Sequence, residues 1–192
     1  MQSALHRDIK AANIGLGLEP AGGGSPYAKI LDCGLTKAVG GGGAAAAAAA
    51  GVSFTGGLVA GTAGYMAREV ANGRYTVQSE VYSFGVVLLE LLTGKRVGPL
   101  TAMEVQESVE DDGLEAVVTL ADPGVWPLPA AQALAALTVH CLQTREKKRP
   151  PDMLAVVASL QVVRALVDVA VVAPLVPCCV CFEDVAEGLT VR

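Results

Sequence analysis

The sequence predicts an α+β fold, mainly α, and three stretches carry that expectation. Residues 81–92 are apolar on nearly every side of a helix, as an element buried in the middle of a domain must be. Ala28-Lys29-Ile30-Leu31 alternates with the two-residue period of a strand. Pro151 stands ahead of Met153, Leu154, Val157 and Leu160, a spacing that predicts a closing amphipathic helix with the proline in its first turn.

The remaining elements follow in order. Residues 19–26 are rich in Gly and Pro and read as a solvent loop. Four glycines at 40–43 precede seven alanines at 44–50 and then Gly51; so short an alanine run flanked by glycine is not a stable helix, and a loop is expected. The helix over 81–92 stops at Gly94, with Lys95 and Arg96 at its end. Residues 130–142 place Leu134, Leu137 and Cys141 on one helical face.

Composition bounds what such a chain can do. With 192 residues, 52 % of them hydrophobic and 17 % charged, there is material for the core of one domain. A net charge of −5 lacks the basic footprint that nucleic-acid binding needs, so nucleic acid is not an expected partner. No membrane span is expected, because the run at 81–92 is too short and the later apolar region carries Gln161, Arg164, Asp168 and two prolines. Five cysteines, Cys33 and Cys141 isolated and Cys178, Cys179 and Cys181 clustered, do not form a secreted disulfide framework.

The chemistry lies in short motifs that occur in a fixed order. His6-Arg7-Asp8-Ile9-Lys10-Ala11-Ala12-Asn13 comes first, followed by Asp32-Cys33-Gly34 and by Gly61-Thr62-Ala63-Gly64-Tyr65-Met66-Ala67-Arg68-Glu69. A helix reading Ser79-Glu80-Val81-Tyr82-Ser83-Phe84-Gly85 and onward to Lys95 comes next, and Arg149-Pro150 closes the series. Together these resemble the catalytic loop, the magnesium-binding Asp-x-Gly, the end of the activation segment, the central helix and the late arginine of a protein kinase. Lys10 and Thr62 are the choices of serine/threonine kinases, and the wording of residues 79–95 is similar to plant-type receptor-like and receptor-like cytoplasmic kinases.

That resemblance covers residues 4 to 166 and implies a protein-kinase-like fold, C-terminal lobe only, over 1–166. Asp8 would be the base and aligner, Lys10 would steady the phosphoryl oxygens, and Thr62 would touch both. Asn13 and Asp32 would hold magnesium with ATP. His6 would brace the catalytic loop, Arg149 would pair with Glu69, and Arg7 would meet a phosphate on Ser53 or Thr55. His140 is read as an ordinary packed or surface residue. Three departures stand out: Cys33 replaces the usual Phe, Arg68 replaces the usual Pro, and Glu80, one methylene longer than the usual Asp, puts the positioning of Asp8 in question.

The implied function is transfer of the γ-phosphoryl of ATP to a Ser or Thr hydroxyl of a protein substrate in the cytoplasm, by the full-length form; the 192-residue chain, lacking an upper lobe, is expected to be inactive. Residues 167–177 read as a linker. Pro177-Cys178-Cys179-Val180-Cys181-Phe182 resembles the start of a RING-type zinc module over 178–192, with Cys178 and Cys181 as zinc ligands. The alternative reading is therefore a pseudokinase scaffold joined to a RING-type ubiquitin-ligase module whose partner is a ubiquitin-conjugating enzyme.

Overall fold

The computed structural model describes residues 3–18, 26–39, 54–55, 59–98 and 101–172. Its strands are β1 (Ser3–Leu5), β2 (Ile14–Leu18), β3 (Pro26–Ile30), β4 (Lys37–Val39), β5 (Phe54–Thr55) and β6 (Arg74–Tyr75). Its helices are α1 (Arg68–Ala71), α2 (Val77–Thr93), α3 (Thr101–Asp112), α4 (Leu114–Val118), α5 (Leu128–Cys141) and α6 (Met153–Val172). The α+β, mainly α class expected from sequence is the class observed.

Helix α2 is the axis of the core, and its ends are built locally. Thr76 Oγ1 accepts from Ser79 N at 3.0 Å while Thr76 N donates to Ser79 Oγ at 2.9 Å, so two of the helix's orphan donors are satisfied reciprocally. Gly94 closes the helix in the left-handed conformation, φ 66°. Between these caps Val81, Val86, Leu88, Leu89 and Leu92 are buried, each contributing about 1.5–3 kcal/mol of transfer free energy. Helix α5 packs across α2 at Gly85, where an added Cβ would lie 2.6 Å from Cys141 Cβ; only glycine lets the two backbones come so close.

The described strands form three antiparallel pairs. β2 and β3 pair with Ile14 opposite Ile30 and Leu18 opposite Pro26, and Leu31 N donating to Asn13 O at 2.8 Å extends the ladder by one bond. The strand expected at 28–31 thus exists, starting two residues earlier. β1 pairs with β4, Leu5 opposite Lys37, and β5 pairs with β6, Phe54 opposite Tyr75.

Two expectations about the last helix need correction. Pro151 lies outside α6, because Asp152 Oδ1 accepts from Ala155 N at 2.9 Å and takes the capping role. The helix is apolar all round rather than amphipathic: Val156 and Val163 are buried, yet Leu154 (75 %) and Val169 (69 %) are exposed. It also runs past residue 166 to Val172, into the stretch read as a linker.

The same composition alters the membrane expectation. Among the described residues Met153–Ala170 is long and apolar enough to cross a membrane, with mean hydropathy 1.9. Its two charges, Arg164 and Asp168, lie 3.8 Å apart one turn from each other and do not outweigh the surrounding Val and Leu. Of the stretch read as a solvent loop at 19–26, Pro26 instead opens β3, while residues 19–25, residues 40–53 and the cysteines 178, 179 and 181 lie outside the described residues.

Candidate active site

Glu80, in the first turn of α2, organises the segment that carries Asp8. Its Oε2 accepts from His6 N at 3.0 Å and its Oε1 from Arg7 N at 2.9 Å. These bonds hold Arg7 in the left-handed region, φ 72°, a conformation that β-carbon sterics disfavour. The longer side chain reaches both amides. Burial pushes the Glu80 carboxyl above its ordinary value, against the pull of the Arg7 and His6 N–H groups.

His6 braces the other side. Its Nδ1 accepts from Asp8 N at 3.3 Å, so the proton of the neutral ring sits on Nε2, which donates to Leu31 O at 3.0 Å. Leu31 precedes Asp32, and Leu31 N is already bonded to Asn13 O, so the backbone brings Asp32 beside the loop at residues 6–13. Asp32 itself is exposed, left-handed at φ 59°, and accepts from Gly34 N at 3.4 Å. Cys33 opens the following short turn and is exposed.

Asp8, Lys10, Asn13 and Thr62 meet. Lys10 Nζ donates to Asp8 Oδ2 at 2.7 Å and to Thr62 Oγ1 at 2.8 Å, while Thr62 Oγ1 donates to Asp8 Oδ1 at 2.7 Å. Asn13, 7 % exposed, donates from Nδ2 to Asp8 O at 2.8 Å and to Asp8 Oδ2 at 3.2 Å. Burial raises the Asp8 pKa, but the bonds from Lys10 and Thr62, the Lys10 charge and the Asn13 bond outweigh it, and the carboxyl sits below its ordinary range.

The segment bearing Thr62 is fixed at both ends. At the far end Glu69 meets the buried Arg149, whose Nη1 lies 2.5 Å from Glu69 Oε1 and whose Nη2 lies 3.2 Å from Glu69 Oε2. Arg149 also donates to Gln143 O, at 2.7 Å, and Gln78 O, at 3.0 Å, and lies over the Tyr82 ring, so the buried cation is well satisfied. At the near end Gly61, φ 136°, packs so tightly that a Cβ would lie 3.1 Å from Arg7 O.

Sequence reasoning missed the middle of this segment. Tyr65 Oη donates to Glu90 Oε1 at 2.7 Å and Ser83 Oγ donates to Tyr65 O at 2.8 Å. Burial and the Glu90 carboxylate push the Tyr65 phenol up to about 12. The signal was in the sequence: Ser83 and Glu90 are the polar interruptions of an otherwise apolar helix and stand two turns apart on one face. His140 is an exposed residue of α5 with no part in the cluster. Ser53, Cys178 and Cys181 are outside the described residues.

Holding a magnesium ion asks for hard oxygen donors. Asn13 commits its amide nitrogen to Asp8 and leaves Oδ1 for a cation, and Asp32 offers an exposed carboxylate one residue from the Leu31–Asn13 bond. The described residues contain no group of three or more His, Cys, Asp and Glu, a donor set that magnesium shared with phosphate oxygens does not need.

Comparison with known proteins gives the family. The family model described as protein kinase domain matches residues 1–159. The chain is 36 % identical over 167 residues to the probable serine/threonine-protein kinase PBL18 of Arabidopsis thaliana, covering 82 % of this chain and 39 % of that protein. It is 33 % identical over 180 residues to the probable serine/threonine-protein kinase PBL16 of the same plant, 88 % of this chain and 40 % of the relative. It is also 31 % identical over 149 residues to the putative U-box domain-containing protein 53 of Arabidopsis, 76 % of this chain and 17 % of that protein. The chain thus spans about two fifths or less of the lengths of these relatives, and within that span it belongs to the protein kinase domain family.

Proposed function

We propose that this chain supplies the phosphoryl-transfer half of a cytoplasmic serine/threonine protein kinase, moving the γ-phosphoryl of ATP to a Ser or Thr hydroxyl of a protein. The observation that carries the reading is the closed triangle of Asp8, Lys10 and Thr62. A carboxylate offers about four acceptor positions, and Lys10, Thr62 and Asn13 occupy three, so one remains for a substrate hydroxyl. Lys10 has three N–H donors, of which Asp8 and Thr62 take two, and the third is free for a phosphoryl oxygen.

The hydrogen bonds that Asp8 already accepts define its part. A carboxylate this well satisfied is a weak base, so Asp8 orients the hydroxyl by accepting its hydrogen bond and takes the proton only as the oxygen becomes bonded to phosphorus. Asn13 and Asp32 would hold magnesium. When bound, the metal neutralises charge developing on the phosphoryl oxygens. The test is phosphoryl transfer from labelled ATP to Ser, Thr and Tyr peptides by the full-length gene product. Transfer to Ser or Thr, reduced by about two to four orders of magnitude in Asp8→Asn, supports the reading; transfer undiminished in Asp8→Asn sinks it.

A second reading is a kinase-shaped scaffold bearing a zinc module that recruits a ubiquitin-conjugating enzyme, and the spacing of Cys178 and Cys181 favours it. Stoichiometric zinc uptake by the full-length product, lost in Cys178→Ser and Cys181→Ser but kept in Cys179→Ser, supports the module. Zinc uptake indifferent to all three removes it.

A further inference from the structure

Tyr75 sits between the two halves of the site without touching Asp8. It is 2 % exposed and lies at the end of β6, opposite Phe54. Its hydroxyl accepts from Ala60 N at 2.6 Å and donates to Ala60 O at 2.8 Å, so both polar groups of one peptide residue close on a single phenol. Over its ring lies the Arg7 guanidinium, 4.0 Å from the centroid, a contact between a cation and the negative face of the ring.

Ala60 is two residues before Thr62, and Arg7 immediately precedes Asp8. Between them Gly61, φ 136°, packs on Arg7 O so closely that a β-carbon would lie 3.1 Å from it. One side chain thus ties the segment that presents Thr62 to the segment that presents Asp8 and Lys10. From this geometry we infer that Tyr75 is a positioning residue for phosphoryl transfer: its hydroxyl fixes the height at which Thr62 meets Asp8, and its ring seats the neighbouring Arg7. The inference rests on the kinase reading above for its consequence, and on the Ala60 contact alone for its mechanism.

Tyr75→Phe separates the two, since it keeps the ring under Arg7 and deletes only the hydroxyl. In the full-length gene product, at submicromolar concentration, the Ala60 amide, followed by hydrogen exchange and mass spectrometry, is expected to exchange about tenfold faster in the variant, while amides of α2 keep their rates. In the full-length gene product Tyr75→Phe is expected to raise the KM for the protein substrate about three- to tenfold and to leave the KM for ATP unchanged; a mere loss of folded protein lowers kcat and moves neither KM. In a Thr62→Ala background the effect of Tyr75→Phe should vanish, because its only route is through Thr62. Unchanged Ala60 exchange, or losses that multiply in the double variant, overturn the inference. If wild-type protein transfers no phosphoryl group while Ala60 exchange does respond, it is the kinase reading that fails, and Tyr75 is left as a structural anchor of the 59–62 segment.

Discussion

Asp8 and Glu80 are carboxylates held in opposite ways, and the difference can be measured. Asp8 is pulled below its ordinary 3.8 by Lys10, Thr62 and Asn13 against the effect of burial, so its contribution to stability is fully present above pH 3.8 and is lost as pH falls through the depressed folded value. Asp8→Asn should therefore lower the melting temperature by a few degrees at neutral pH, consistent with a partly exposed ion pair of about 1 kcal/mol, and the gap from wild type should narrow as pH falls below 3.8. A gap that is constant across this range rules out the ion pair as the source. Glu80 is pushed above its ordinary 4.5 by burial, so its contribution is greatest below that pH and declines as pH rises through the raised folded value. What Glu80 retains at neutral pH is its grip on two amides, His6 N and Arg7 N. Restoring the shorter acid withdraws the carboxylate by about 1.5 Å and breaks bonds that now have good length. Glu80→Asp is accordingly expected to destabilise the chain by about 1–3 kcal/mol, the cost of leaving partly buried donors unpaired, and a rise in melting temperature on this change contradicts the assignment.

At the scale of elements, packing at Gly85 decides how α2 and α5 fit. Alanine is the better helix former by about 1 kcal/mol, but its Cβ would fall 2.6 Å from Cys141 Cβ, and moving α5 away costs about 1–3 kcal/mol. Gly85→Ala should thus lower the urea midpoint, and adding Cys141→Gly should recover part of the loss; an increase in the midpoint of the single variant refutes the close approach. What the sequence made legible follows the same physics. Helix α2 could be read because its run of buried apolar residues has no alternative home, and α5 because Leu134, Leu137 and Cys141 mark one face. Helix α1 spans four residues, and α3 is acidic with Ala102 and Val105 as its buried anchors, so neither left a stripe to find. Strands β1 and β4, and β5 and β6, pair residues far apart in the chain, which periodicity does not report. The site divides likewise: Asp8, Lys10 and Asn13 lie within one short motif, whereas Thr62 reaches Asp8 across 54 residues and could be placed there only through the resemblance. Tyr75 belongs to no motif, and its bond to Ala60 was beyond reach of the sequence alone.

On the scale of the whole molecule the core accounts for only part of the apolar surface. On the hairpin of β2 and β3, Leu16 is 84 % and Ile30 58 % exposed, and the paired register puts both on one face with Ile14 and Ala28. That face adjoins a small cavity walled by Ile9, Ile14, Ala28, Ile30 and Phe84, beside Lys10 and Asn13 of the site. Leu154, Val157, Val162 and Val169 are a second set of exposed apolar residues, along α6. A net charge of −5 gives only modest repulsion between copies, which physiological salt screens over about 8 Å. Contact through such residues is governed by short-range burial, at about 25 cal/mol per Å², and two separate exposed apolar sets on one molecule allow growth beyond a dimer. The 192-residue chain by itself is therefore expected to self-associate at micromolar concentration, with light-scattering mass rising with concentration and little affected by salt. Leu16→Thr with Ile30→Thr should remove one mode of contact, Leu154→Gln with Val169→Gln the other, and the fourfold variant should remain monomeric with an unchanged helical circular-dichroism signal. Wild-type chain that stays monomeric across that range, or a fourfold variant that associates as the wild type does, shows that these faces do not drive association.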